Sequence, residues 1–337
     1  MRQDEGLTIG VPVRNESRTL ERFIHSLKKS VDFLPVHLIV ETIICINGST
    51  DGSEKIAKQL VRDYQGSRLN LFVVYSQEGK MEAQRAILTL RHLQDLVAFF
   101  DADVAVHRQC LLNLWKTMEE NPQVQVAYAR VKAFNLGYET IVEWIESVHY
   151  AFPNLLASRK YFHGRGYFFR PVELFFLSSF EREEFCALAA KKHLPWLRLD
   201  IGPLVDDIHL SRVLADRYGI ESIREVRDAI VEFTAPRTLR DFYHGQRRML
   251  IEIRRLDMLY PRLAYLQKRF ERKPDRDWLR QMKPDVRLHH FLYRFMERCI
   301  RILVRINIFL SDHFSGKRRD FWVPLESTKE IKGEEDD

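Results

Sequence analysis

Cysteine is scarce in this 337-residue chain: there are four, at Cys45, Cys110, Cys186 and Cys299, with no Cys-x-x-Cys among them. Such scatter argues against a disulfide scaffold or a zinc-thiolate site and suits a reducing, cytoplasmic setting. Glycine is thin as well, 14 residues, and none forms a Gly-rich phosphate loop near the N-terminus. The opening residues, MRQDEGLTIG, contain no apolar core of a secretory signal. No segment repeats. Only the end, KEIKGEEDD, has the composition of a disordered acidic tail, over residues 326–337.

What is present is globular: 45% apolar and 30% charged residues, enough for one large or two ordinary domains. The formal charge is +6 but unevenly placed. Between His244 and Asp320, 20 Lys/Arg face 9 Asp/Glu, so the rest of the chain is net acidic. A basic segment of this kind suits phosphates, a membrane surface or nucleic acid.

The first 130 residues alternate short apolar runs with helical patterns. LTIGVPV, ETIICI, LNLFVVY, LVAFF and VQVAYARVKAF read as strands. Between them, SRTLERFIHSLKKS, EKIAKQLV, GKMEAQRAILTLRHL and RQCLLNLWKTMEEN read as helices. The alternation predicts an α/β fold, a mainly parallel central sheet with helices on both faces. Beyond it come a helical ETIVEWIESVHYA, an irregular YFHGRGYFFRPVEL, a helix over DDIHLSRVLADRYG, a strand RDAIVEF and an Arg-rich helical end.

Four polar clusters stand at successive predicted strand ends: Pro12–Val13–Arg14–Asn15–Glu16, Asn47 to Asp51, Gly79–Lys80, and Asp101–Ala102–Asp103. Strand ends on one side of a parallel sheet converge, so these clusters are expected to line one crevice. In the turn INGSTDGS, Gly48 and Gly52 permit a tight backbone, and Asp51 with Glu54 reads as a capping pair for the next helix. Two carboxylates one residue apart, Asp101 and Asp103, can straddle a divalent cation such as Mg2+ or Mn2+ that bridges diphosphate oxygens. An isolated pair of this kind is more often a cap or a solvated loop; the strand before it and three sister clusters reverse those odds. Lys80 suits a phosphate, and Asn47, Asp51 and Glu16 suit a base edge or ribose hydroxyls. Asp206 and Asp207, at a helix start, read either as dipole caps or as a general base with its support. Gln246, Arg247 and Arg248 are donors for a diphosphate or an acceptor, or else a solvated basic face.

In this order, VPVRNE, NGSTDGS, GKMEAQ, FFDADV, HGRGYFFR, VDDIHLSRVL and PRTLRDFYHGQRRM resemble the family 2 glycosyltransferases of GT-A fold, over residues 5–255. The resemblance implies a catalytic domain over 1–255, with a nucleotide-sugar half to about residue 130 and an acceptor half after it. It implies inverting transfer from a nucleotide-diphosphate sugar, a UDP-sugar being favoured, to a glycan or lipid-linked acceptor. Pro12, Val13, Arg14, Glu16, Asn47, Asp51, Lys80 and Asp101 would hold the nucleotide, and Asp103 with Asp101 the Mn2+ or Mg2+. His163, Gly164 and Arg165 would line the acceptor side, and Asp207, supported by Asp206, would be the base. Three departures stand out: Asn47 where many members carry Asp, Gln84 where Asn is frequent, and Met249–Leu250 where processive members end in Arg-Trp. The last, with no large transmembrane bundle, points to one sugar per acceptor.

Residues 256–325 are expected to form a helical basic extension. Within it, 286–310 place Arg294, Arg298, Arg301 and Arg305 at helical spacing beside Phe291, Phe295, Ile302 and Ile306. Four arginines oppose a membrane crossing. Two readings stay open: a basic amphipathic helix in an anionic membrane interface, peripheral on the inner face, or a helix packed on the catalytic domain. Two other classes are a sugar-nucleotide pyrophosphorylase and a non-catalytic nucleotide- or membrane-binding protein. Nucleic acid is not expected as a partner, because acidic clusters at strand ends repel it.

Overall fold

The computed structural model describes residues 6–93, 96–134, 140–145, 161–170, 172–175, 203, 206–270, 280–314 and 328. The first part alternates as the apolar spacing predicts: β1 (Gly6–Val13), α1 (Leu20–Val31), β2 (Ile39–Ile46), α2 (Ser53–Asp63), β3 (Leu71–Tyr75), α3 (Lys80–Leu90) and β4 (Leu96–Phe100). Then follow β5 (Val104–Val106), α4 (Cys110–Glu120), β6 (Val126–Ala133), β7 (Gly166–Phe169), α5 (Asp206–Tyr218) and β8 (Ile223–Phe233). The chain continues with α6 (Leu239–Leu259), α7 (Leu266–Phe270) and α8 (Pro284–Phe314).

The strands form one sheet in the order β3-β2-β1-β4-β7-β6-β8-β5. Strands β3, β2, β1 and β4 run parallel, β7 is antiparallel to both β4 and β6, and β6 runs parallel to β8. Two strands escaped the sequence pattern. β5 has three residues and β7 four, too short for alternation to register, and β7 lies in the segment read as irregular.

Period-2 alternation splits the core between the two faces. Leu7, Ile9, Val11, Ile44, Ala98 and Phe100 pack under α1, α2 and α4. Ile43, Cys45, Val97, Phe99, Tyr128 and Tyr167 pack under α3 and α5. Strand β4 needs glycine on both sides. Gly10 pairs with Phe99, and a Cβ there would stand 2.6 Å from that ring. On the other face Gly166 pairs with Phe100, where a Cβ would stand 2.7 Å away. Each ring therefore lies against a bare backbone, which fixes the roll of β4 just before Asp101.

The buried Glu41 of β2 serves the fold. Its Oε1 accepts from the Thr8 hydroxyl at 2.6 Å and from Leu93 N at 2.8 Å, tying the loop after α3 to the central strands.

Helix α6 runs through residue 255, so the domain boundary expected there falls inside a helix. The predicted helix over 139–151 is described only as far as residue 145, and the acidic tail lies outside the described residues apart from 328. Among the described residues no helix is long and apolar enough to cross a membrane.

Candidate active site

Because β1 to β4 are parallel, their C-terminal ends share one rim. The reversed strand β7 brings its N-terminal end to the same rim, pairing Gly166 with Phe100. The Asp101 amide then donates to the Arg165 carbonyl at 3.2 Å. Helix α5 starts there too, with Asp206 and Asp207 as its first residues.

Lys80 is the hub. Its Nζ stands 2.7 Å from Asp101 Oδ1 and 3.2 Å from Asp206 Oδ1, and donates to the Gly164 carbonyl at 3.1 Å. Burial pulls the Lys80 pKa down, but the carboxylates of Asp101, Asp206 and Asp207 outweigh it, so Lys80 stays a cation. Gly164 leaves room for this contact: a Cβ there would lie 2.6 Å from Lys80 Nζ and 3.0 Å from Asp206 Oδ1, so any side chain would displace the ammonium.

Asp206 is buried and fully engaged. Its Oδ2 accepts from Gln84 Nε2 at 2.6 Å and from the Tyr167 hydroxyl at 3.0 Å. Gln84 lies one helical turn after Lys80, so α3 sends both side chains to the same carboxylate.

Asp207 is held differently. Gly164 N donates to its Oδ2 at 3.1 Å, and Ile208 N to its Oδ1 at 2.8 Å. Burial, then the charge of Asp206, raise its pKa to about 6 against the pull of Lys80 and the two amides. The site thus holds a carboxylate able to take up a proton near neutrality.

Asp101 is raised as well, first by burial, with Asp103 and Asp206 adding to it and Lys80 opposing. Asp103 Oδ1 is buried without a hydrogen-bond partner. An orphaned carboxylate oxygen beside a second carboxylate fits a hard divalent cation. Among the described residues no three His, Cys, Asp or Glu cluster as a complete metal cage, so substrate oxygens or water would have to complete the shell.

The family model described as Glycosyl transferase family 2 matches residues 8–182, just over half of the chain. The chain belongs to glycosyl transferase family 2. It is a glycosyltransferase, which sets aside the pyrophosphorylase and the non-catalytic binding protein. No curated protein matches its sequence. Among solved structures it is similar to a mannosyltransferase from Pyrobaculum calidifontis in complex with GDP-Man and Mn2+. That match has 18% identity and a TM-score of 0.46, covering 92% of this chain and 76% of that one. It is also similar to glucosyl-3-phosphoglycerate synthase from Mycobacterium tuberculosis in complex with Mn2+, UDP-glucose and phosphoglyceric acid. There the identity is 17% and the TM-score 0.46, with 76% of this chain and 80% of that one covered.

In this glycosyltransferase, Lys80, Asp101, Gly164, Asp206 and Asp207 meet at one rim of the sheet. Arg248 joins them. It is half-buried, and its charge is opposed by desolvation and Arg165 but favoured by Asp103, Asp101 and Asp207. Arg165 lays its guanidinium 3.7 Å over the Phe233 ring. His163 is buried edge-on to Tyr128. Asn47 donates from Nδ2 to the Gly79 carbonyl at 3.3 Å, while its buried Oδ1 has no hydrogen-bond partner.

Several predicted residues are placed otherwise. The Val13 side chain is in the core, so only its backbone reaches the rim, where its carbonyl accepts from Asn47 N at 3.0 Å. Pro12, half-buried, precedes it in β1 opposite Cys45. Arg14 pairs with Glu78 at 2.7 Å across the two loops, both side chains largely exposed.

Asp51 is spent on the turn. Its carboxylate accepts from Ser17 N and Ser53 N, both at 3.0 Å. Burial raises its pKa, but the bonds from Ser53 and Ser17 prevail and hold it at about 2. Glu54 is no capping partner: it faces outward, paired with Lys58 at 2.6 Å and accepting from the Tyr75 hydroxyl at 3.0 Å. Ser49 and Ser53 receive the amides of Asn15 and Glu16 at 3.1 and 2.7 Å, so the turn is stitched to the loop after β1. The Glu16 carboxylate itself accepts from the Thr19 hydroxyl at 2.9 Å.

Gln246 and Arg247 face α8 rather than the carboxylates. Arg301 Nε donates to Gln246 Oε1 at 3.2 Å, and Arg247 Nε to Asn307 Oδ1 at 3.3 Å. A helix turns 100° per residue, so three consecutive side chains cannot share one face. Gln84 and Tyr167 are the pieces that sequence reasoning did not place in the site. Gln84 sits four residues after Lys80, a spacing that marks a shared helix face. Tyr167 carried no signal apart from lying in HGRGYFFR.

Proposed function

We propose that this glycosyltransferase moves one sugar per acceptor from a nucleotide-diphosphate sugar, a UDP-sugar being favoured, to an acceptor hydroxyl with inversion at the anomeric carbon. The observation that carries the reading is Asp207. It is a carboxylate with a pKa near 6, fixed by two backbone amides and set among groups suited to a diphosphate. Asp207 accepts the acceptor's proton as the hydroxyl attacks the anomeric carbon from the face opposite the departing nucleoside diphosphate. Lys80, Gln84 and the Tyr167 hydroxyl all converge on the Asp206 carboxylate, which adds to the raised pKa of Asp207 beside it.

Arg248 offers a fork of donors to the diphosphate. Asn47, with its free Oδ1, accepts from the base or ribose of the nucleotide. Asp103 and Asp101 would hold Mn2+ or Mg2+, which supplies Lewis-acid stabilisation of the leaving diphosphate when bound. A lipid-linked or glycan acceptor and a cytoplasmic location complete the reading, the latter supported by free Cys45, Cys110 and Cys299.

The test is thermal shift and transfer with UDP-, GDP-, dTDP- and CDP-sugars on wild type and Asp207→Asn. The variant is expected to keep donor binding and lose turnover. Turnover retained in Asp207→Asn removes Asp207 as the base.

A further inference from the structure

Two arginines away from the site show how this fold treats a guanidinium that it withdraws from water. Arg68 donates to the Leu34 and Pro35 carbonyls at 3.0 and 2.8 Å. Arg212 donates to Gln267 Oε1 at 2.9 Å and pairs with Asp257 at 2.8 Å. Arg165 departs from that treatment. It is half-buried, with its guanidinium 3.7 Å over the Phe233 ring. Among the described residues no carboxylate pairs with it and no acceptor takes its hydrogens. A ring satisfies the face of a guanidinium and leaves the N–H donors around its edge unspent.

The missing partner is an anion. A guanidinium carries donors only, stays charged, and has the fork that matches a phosphate or a carboxylate. Arg165 also stands close enough to Arg248 to oppose its charge, so a negative group placed here relieves both.

Position separates this anion from the donor's diphosphate. Asn47, given above to the nucleotide, follows β2, whereas Arg165 precedes β7 and Phe233 closes β8. Strands β1 and β4 lie between the two sides, with Asp101 at the end of β4. Arg165 is also one peptide unit from Gly164, whose amide donates to Asp207 at 3.1 Å. The diphosphate already has Arg248 and the cation of Asp101 and Asp103.

We propose that Arg165, seated on Phe233, binds an oxyanion, phosphate or carboxylate, which the acceptor carries close to its attacking hydroxyl. The inference rests on the reading of Asp207 as the base, since that places the hydroxyl beside Arg165. The acceptor class that follows is a hydroxy compound with an acidic group near the hydroxyl, not a neutral glycan end.

The experiment is calorimetric titration of inorganic phosphate, and separately acetate, into the full chain at constant ionic strength. Mg2+ and a saturating nucleoside diphosphate are present, the latter chosen from UDP, GDP, dTDP and CDP by its own thermal shift. Wild type should bind one of these anions on top of the nucleotide. Arg165→Gln should raise that Kd by about tenfold or more. Arg165→Lys, which keeps the charge but not the fork, should recover it only in part. Both variants should keep the nucleotide's thermal shift, which also reports folding. Binding of neither anion by wild type overturns the proposal, and so does an unchanged Kd in Arg165→Gln. Anions that displace the nucleotide, or a nucleotide affinity that falls in Arg165→Gln, assign the fork to the diphosphate and overturn it as well. If no nucleotide binds wild type, the donor reading is what fails. Anion titrated alone then gives the same comparison, in which an unchanged Kd in Arg165→Gln still overturns the present proposal.

Discussion

Gln84 Nε2 lies 2.6 Å from Asp206 Oδ2, a bond between α3 and α5 in which both residues are buried. With Tyr167 on the same oxygen and Lys80 on the other, the Asp206 carboxyl is fixed in place beside Asp207. Tyr167→Phe removes one of those donors without changing shape. A loss of about 1–3 kcal/mol in stability is expected by denaturant unfolding. Turnover should fall while the affinity for donor holds. Lower donor affinity with unchanged turnover would place Tyr167 in the nucleotide pocket instead.

Lys80→Met leaves Asp101 and Asp206 facing each other without their cation. Breaking a buried ionic group costs about 3–5 kcal/mol. Because the Lys80 side chain keeps 24% exposure, the lower end of that range is expected in thermal melts. A variant as stable as wild type would mean that solvent already screens the cluster.

Asp207 ties activity and stability to pH in opposite directions. As a base it must be ionised, so kcat/KM should rise with pH through about 6 and then level off. Its folded pKa is raised above the unfolded value of 3.8, so the folded state binds its proton more tightly than the unfolded chain does. The stability Asp207 contributes is thus present below pH 4 and lost as pH climbs to about 6. Asp207→Asn should abolish turnover and raise the melting temperature at pH 7, with little effect at pH 4.

Gly164→Ala is the smallest change available at the centre of the site. The new methyl would lie 2.6 Å from Lys80 Nζ, so the flexible ammonium must move while the backbone stays. A shift on the order of 1 Å at a catalytic centre is worth about 100-fold in rate. Single-turnover transfer should show that loss, with far-UV circular dichroism unchanged.

Much of this arrangement was legible in the sequence because it follows from period and order. Strands β1 to β4 and helices α1 to α4 announce themselves by alternating apolar spacing. A parallel sheet then obliges Lys80 and Asp101 to meet. What stayed hidden depends on side-chain direction and on short elements. Strand β7 is four residues long, and without it neither Gly164 nor Tyr167 can be brought to the rim. Asp51 has the composition of a ligand-binding residue, yet the backbone amides of Ser17 and Ser53 claim it first. Gln246, Arg247 and Arg248 look equivalent in a row of letters, but helical rotation turns the first two toward α8.

The pairing of Gly10 with Phe99 and Gly166 with Phe100 bears on how variation in this protein is to be interpreted. In a deep mutational scan these two glycines should be as intolerant as Asp207, because any added carbon strikes a ring that aims Asp101. Scored by intolerance alone, they would pass for substrate contacts. A readout of folded abundance separates them: the glycine substitutions lower how much protein accumulates, whereas Asp207→Asn leaves abundance intact and removes only the chemistry.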